Sequence, residues 1–130
     1  MDLRVHIKEK SVGSFVVSLS GSLDTNTYLT LENNINKILL KTTRVIIFNM
    51  EGVNYISSMG IGALFKIVKT MQDQGGEVLL TNLQPQIQKV FETVKALPRS
   101  LFKDFSEVDA YLDEVQKKFL DEERRNKKPS

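Results

Sequence analysis

The first apolar residues of the chain alternate with polar ones, Leu3, Val5 and Ile7 against Arg4 and His6. A period of two predicts a half-buried strand. Ser11-Val12-Gly13 reads as a turn, and Phe15-Val16-Val17-Ser18-Leu19 as a second strand ending in Ser20-Gly21. Strands joined so closely are expected to form a hairpin, the first antiparallel to the second. Asp24 or Thr25 is the expected cap of a helix, since Tyr28, Leu31, Ile35, Ile38 and Leu39 recur on one helical face. The continuous run Val45-Ile46-Ile47-Phe48 predicts a central strand covered on one or both sides, followed by a turn at Glu51-Gly52.

Ser57 and Ser58 precede a second helix whose apolar positions Ile61, Leu64, Phe65, Val68 and Met71 share a face, with Gly75-Gly76 as the stop. Val78-Leu79-Leu80 reads as a third core strand. Pro85 suits the first turn of a third helix, striped by Ile87, Val90, Phe91, Val94 and Leu97 and ended by Pro98. A short extended piece is expected near Leu101-Phe102. Ser106 and Asp109 resemble a capping box ahead of a last helix striped by Val108, Leu112, Val115 and Phe119. From Asp121 onward no apolar residue remains, so a frayed helix end and a disordered tail are expected. The order predicts an α/β domain over 1–120 and a charged tail over 121–130. Its sheet is mixed, mostly parallel and four- to five-stranded, with about four helices.

Composition narrows the function. A chain of 130 residues, 41% hydrophobic and 26% charged, fits one soluble domain with a single core. There is no cysteine, which excludes disulfides, thiolate metal sites and cysteine catalysis and suits a cytoplasmic setting. The alternating start does not look like a signal peptide, and the run Val45–Phe48 is far too short to span a bilayer, so no membrane role is expected. A net charge of +2 gives no argument for direct nucleic-acid binding.

Catalytic chemistry finds little to stand on. The single histidine, His6, falls on the polar phase of the first strand, far in sequence from the serines of interest. No His/Cys/Asp/Glu group has ligand spacing, so no metal is expected. Gly60-Ile61-Gly62 is not a dinucleotide fingerprint, because Phe65 stands where its third glycine belongs, and no phosphate-loop lysine follows. Neither an enzyme nor a cofactor is expected.

The segment from Asn49 to Gly62 differs, because two adjacent serines stand between a core strand and an amphipathic helix. A helix N-terminus offers unpaired amides and partial positive charge, and Gly60 and Gly62 would let another chain or a phosphate approach the backbone. The plainer reading from residues alone is that Ser57 or Ser58 caps the helix and the glycines serve packing.

At these residues the sequence resembles the STAS family, the anti-sigma-factor antagonists and their relatives. The family loop reads aromatic-hydrophobic-Asp-Ser-Ser/Thr-Gly-hydrophobic-Gly, and this chain has Tyr55-Ile56-Ser57-Ser58-Met59-Gly60-Ile61-Gly62. Gly21-Ser22-Leu23-Asp24 matches the family's Gly-x-Leu-Asp, and Gly75-Gly76 its Gly-Gly before the next strand. The resemblance implies helices mainly on one face of the sheet. It also implies binding to an anti-sigma factor, typically a GHKL-type serine kinase, in a partner-switching pathway, with a phosphatase as a further partner. Ser58 aligns with the family's phosphoacceptor. The implied docking surface comprises Asp24, Thr25, Asn26 and Thr27 in one loop, Ser57, Ser58, Met59, Gly60, Ile61 and Gly62 in the next, and the outward face of the second helix. Two positions depart from the pattern: Ser57 replaces the family's aspartate and Met59 the following Ser/Thr. They motivate an alternative, a non-phosphorylated STAS interaction module in a signalling scaffold or transport complex.

Overall fold

The computed structural model describes residues 2–96 and 105–126. Its elements run β1 (Leu3–Ser11), β2 (Ser14–Leu23), α1 (Tyr28–Asn36), β3 (Val45–Ile56), α2 (Ser58–Asp73), β4 (Glu77–Thr81), α3 (Pro85–Ala96) and α4 (Phe105–Asn126). Among the described residues the sheet has four strands in the order β1-β2-β3-β4. The first pair is antiparallel and the other two are parallel. The expected extended piece at Leu101-Phe102 lies outside the described residues.

Alternation decides which face is covered. Val17, Leu19, Ile46, Phe48 and Met50 are fully buried, whereas the intervening Val16, Ser18, Ile47 and Asn49 are only partly so. Helices α1 and α2 pack against each other and the sheet, α3 lies against β3, and α4 rests chiefly on α3 and α2. The core joins Leu31 and Ile35 of α1, Leu64, Ile67 and Met71 of α2, Ile87 and Val90 of α3 and Leu112 of α4 to the strands. The run Val78-Leu79-Leu80 forms an edge strand rather than a core one. Leu79 points to the uncovered face and is 42% exposed.

Several sequence expectations shift for identifiable reasons. The cap of α1 is Thr27, not Asp24 or Thr25. Asp24 instead turns the chain, its carbonyl accepting from Thr27 and Tyr28 and its carboxylate from the Asn26 amide. Ile38 and Leu39 lie beyond the helix, yet Ile38 is still buried. Glu51-Gly52 is not a turn but part of β3. The β2–β3 register slips there, with Ser18 opposite Asn49 but Ser20 opposite Gly52. A Cβ on Gly52 would meet the Leu19 carbonyl at 2.8 Å, so the glycine permits the close approach of the β2 backbone at the slip. Phe65 departs from the buried stripe of α2 and is 49% exposed, its ring 6.4 Å from that of Phe91. Ala63 and Ile67 take its place in the core.

The C-terminal expectation also changes. Helix α4 continues to Asn126, well past Asp121 where a frayed end was expected. Lack of apolar residues prevents packing but not helix formation: Glu and Arg are good helix formers, and Arg124 and Arg125 oppose the negative end of the helix. At the other end of the same helix, α4 begins at Phe105, so Ser106 is not its cap.

The end of α2 matches its sequence signal. Gly76 N–H donates to the Met71 carbonyl at 2.7 Å and Gly75 N–H to that of Gln72 at 3.0 Å, the pair of bonds that closes a Schellman motif. At the helix start, Gly60 is packed so tightly that a Cβ would lie 2.5 Å from the Leu23 carbonyl, whereas one on Gly62 would meet nothing within 4 Å. Gly60→Ala is therefore expected to destabilise the fold by about 1–3 kcal/mol through overpacking. Gly62→Ala should stabilise it by about 0.5–1 kcal/mol by restricting the unfolded chain. Urea unfolding of the two variants checks the contrast, and equal shifts would contradict it.

Candidate functional site at the start of α2

The carboxyl ends of β2 and β3 lie side by side, with Leu23 opposite Ile56. Ser57 N–H donates to the Leu23 carbonyl at 2.9 Å, so the loop after β2 and the turn after β3 share one end of the sheet. Thr27 is buried and ties that loop down. Its hydroxyl donates to the Ser22 carbonyl at 2.7 Å and accepts from Asp24 N–H at 2.9 Å. Thr25 and Asn26 are exposed and Asp24 is half-buried.

Ser57 is the cap of α2. Its backbone is extended, and its hydroxyl accepts from Gly60 N–H at 3.4 Å while its carbonyl receives Ile61 N–H at 2.9 Å. Ser58 is the first residue of the helix and only 6% exposed. Its Oγ is buried without a hydrogen-bond partner among the described residues. Such an atom carries a desolvation cost of about 1–3 kcal/mol in a native fold and calls for an explanation.

The sequence-predicted partner-binding residues divide. Asp24, Thr25, Asn26, Met59 and Gly62 reach solvent, while Thr27, Ser57, Ser58, Gly60 and Ile61 are buried. The expectation that both glycines open the backbone to a ligand holds for Gly62 alone, because the Leu23 backbone fills the space beside Gly60.

One of the expected anion-friendly amides at the helix start, that of Ser58, is already occupied, from an element the sequence reading assigned elsewhere. Asp109 of α4 accepts from Ser58 N–H at 2.7 Å. A carboxylate at a helix N-terminus is favoured by the partial positive charge there, so Asp109 helps to cap α2. The position where the family pattern has its aspartate carries the Ser57 hydroxyl, and a carboxylate arrives at the adjacent amide from α4 instead. Two further contacts fasten the same helix. Gln116, 3% exposed, accepts from Ile56 N–H at 3.2 Å and donates to the Ile56 carbonyl at 2.9 Å, standing in for a neighbouring strand. The Tyr55 hydroxyl donates to the Asp113 carboxylate.

Asp109, Asp113, Gln116 and Tyr55 were missed as a group. One signal was present: Gln116 lies four residues after the core residue Leu112, on the apolar face of α4, where a polar side chain implies a buried partner. Among the described residues no group of three His, Cys, Asp or Glu side chains could hold a metal ion, and no helix is long and apolar enough to cross a membrane.

The STAS domain family model matches residues 6–110. The chain therefore belongs to the STAS domain family. Among similar proteins, the anti-sigma F factor antagonist of Lysinibacillus sphaericus is 28% identical over 78 residues, spanning 59% of this chain and 67% of that one. An anti-sigma-B factor antagonist of Staphylococcus aureus is also 28% identical over 78 residues, covering 60% and 72% of the two chains. The anti-sigma factor antagonist SpoIIAA in its unphosphorylated form aligns with a TM-score of 0.59 over 68% of this chain and 82% of its own, at 22% identity. The same protein from Bacillus in its phosphorylated form gives a TM-score of 0.59 over 70% and 83%, also at 22% identity. At that identity the likeness establishes a shared fold.

Burial, then the hydrogen bond to Asp113 and the charges of Asp113, Asp109 and Asp24, push the Tyr55 phenol well above its ordinary value of about 10. A raised phenol favours the protonated form in the folded state. Its stabilisation is fully present below about pH 10 and is lost as pH rises through the folded value. Ultraviolet titration of wild type against Tyr55→Phe should show the Tyr55 step displaced to higher pH, and Asp113→Asn should move it back. Separately, Gln116→Leu leaves the Ile56 N–H and carbonyl without their partner, and a loss of about 2 kcal/mol or more in urea unfolding is expected. A neutral result would show that Gln116 does not fasten α4.

Proposed function

We propose that this chain is an anti-sigma factor antagonist that binds an anti-sigma factor of the GHKL serine-kinase type, controlled by phosphorylation of Ser58. The observation that carries the reading is Ser58 itself. It opens α2 at the family's acceptor position, and its buried hydroxyl has no hydrogen-bond partner among the described residues. The names of the curated relatives, all anti-sigma factor antagonists among those cited, support the general role. In the transfer, Ser58 Oγ loses its proton to a base of the kinase and bonds to the γ-phosphorus of a nucleoside triphosphate. The bond from that phosphorus to the nucleoside diphosphate breaks. A phosphatase reverses the modification by hydrolysis, and the setting is cytoplasmic.

The docking surface comprises Thr25 and Asn26 of one loop, Met59 and Gly62 of the next, and the exposed Phe65 further along α2. Met59 and Phe65 supply adaptable apolar contact, and a dianion at Ser58 would change the charge of the turn they flank.

A second reading has its own support. Asp109 occupies the amide of Ser58 and the hydroxyl is buried, an arrangement that suits a STAS interaction module that is never phosphorylated. Intact mass of the protein purified from its native cell separates the two, since a phosphorylated form supports the first and its absence under every growth condition the second.

With an isolated anti-sigma factor, Ser58→Asp is expected to weaken binding by about 10-fold or more and Ser58→Ala to preserve it. An altered charge at a docking site changes affinity on that scale. Calorimetric titration reads the difference, with thermal unfolding confirming that both variants are folded. Equal affinity for all three proteins would remove the switch.

A further inference from the structure

The amides of Ile56 and Ser58 both donate to side chains of α4, to Gln116 Oε1 and Asp109 Oδ1 respectively. Between them stands the cap Ser57, and beside them the Ser58 hydroxyl is buried without a partner among the described residues. A kinase cannot deliver a phosphoryl group to an oxygen that solvent does not reach. We propose that α4 is a displaceable cover over Ser58, and that access to the hydroxyl requires α4 to lift from the β3–α2 turn. The purpose of the cover rests on reading Ser58 as the phosphoacceptor, but its geometry does not.

Three features make α4 the element that moves. It belongs to no strand ladder and rests chiefly on α3 and α2, so its release leaves the sheet intact. Sub-global openings of this kind select elements with few backbone bonds to the rest of the fold. Second, its fastening to the turn is by side chains, Asp109, Asp113 and Gln116, with Val108 and Leu112 buried among the described residues. Third, the two states exclude each other. A phosphate on Ser58 would meet the Asp109 carboxylate, which lies 2.7 Å from the amide of the same residue. Two negative groups on one residue's amide and hydroxyl repel, so modification would hold α4 off and leave the turn remodelled.

The chain has no cysteine, which allows a single introduced thiol to report the opening. Ser58→Cys is expected to react with a neutral maleimide about 100-fold more slowly than Val12→Cys, placed at a position 94% exposed. Adding Asp109→Ala and Gln116→Ala removes three hydrogen bonds between α4 and the turn and should speed labelling of Ser58→Cys by about 10-fold or more, while leaving Val12→Cys unchanged. Labelling of Ser58→Cys as fast as Val12→Cys, or unmoved by the added substitutions, overturns the cover.

Amide hydrogen exchange of the unaltered chain guards against a general loss of stability. The Ile56 and Ser58 amides should exchange about 10-fold or more faster than the slowest amides of the β2–β3 ladder, whereas equal protection means that they open only when the whole domain unfolds and overturns the proposal. The Asp109→Ala, Gln116→Ala chain with Ser58 kept, recovered from its native cell, reads the other half by intact mass. A larger phosphorylated share supports both cover and acceptor. Faster labelling with no phosphorylated form leaves the cover standing and removes the acceptor.

Discussion

Strand β3 outruns its neighbour. Strand β4 pairs with it only from Val45 to Asn49, yet β3 continues to Ile56. Backbone groups beyond the last strand pairing need other partners, and here glutamine side chains provide them. Gln84 donates to the Glu51 carbonyl at 2.7 Å, Gln86 to that of Asn54 at 3.2 Å, and Gln116 serves both groups of Ile56. The overhang carries the chain past the sheet, places Ser57 and Ser58 beyond its end, and draws α3 and α4 toward the same edge. The position of α4 over the turn therefore follows from how the end of β3 is satisfied.

That arrangement alters the electrostatics of the helix start. An isolated N-terminus favours an anion by about 0.3–1 kcal/mol in exposed settings. Here Asp109 already meets that demand, and Asp113 and Asp24 add negative charge close enough to bear on Tyr55. A phosphate on Ser58 would add to the negative charge already gathered at the turn. A phosphate there would gain little from the helix unless the carboxylate left, so modification and docking of α4 would compete for one location.

The elements closest to the core were legible in the sequence because their periodicity is their function. The alternation of Leu3, Val5 and Ile7, the stripe of Ile87, Val90 and Val94 and the stop at Gly75-Gly76 each reflect one local constraint, and each stands where its pattern put it. The turn that opens α2 was legible through Ser57 and Ser58 standing ahead of an amphipathic stripe. What the sequence hid was long-range. Asp109 looks like the capping-box partner of Ser106, three residues away, whereas it also reaches Ser58, remote in the chain. Glu51-Gly52 looks like a turn because a glycine that admits the close approach of a neighbouring strand has the same signature as one that reverses the chain. Phe65 fits the apolar stripe of α2 by spacing, but the stripe is wider than the area the sheet covers. In each case one residue pattern serves two geometries, and only the packing partner distinguishes them.

The strength of the α4 contact then determines what kind of control it exerts. Neutral hydrogen bonds contribute about 0.5–1.5 kcal/mol net and those to a charged group about 1.5–3, while fully burying a side chain such as Val108 or Leu112 contributes about 1.5–3. Ordering the helix against the turn costs conformational entropy of similar size. The difference is a margin of a few kcal/mol. If opening costs about 2.7 kcal/mol, about one molecule in a hundred is open, and a partner that requires the open form binds about 100-fold more weakly than its contacts alone allow. A partner with micromolar intrinsic affinity brings about 8 kcal/mol, enough to open the cover. Such a helix grades access to Ser58 rather than forbidding it. Any change that weakens Asp109 or Gln116 then raises the affinity of every ligand that needs the turn by the same factor, because they all share the one opening step.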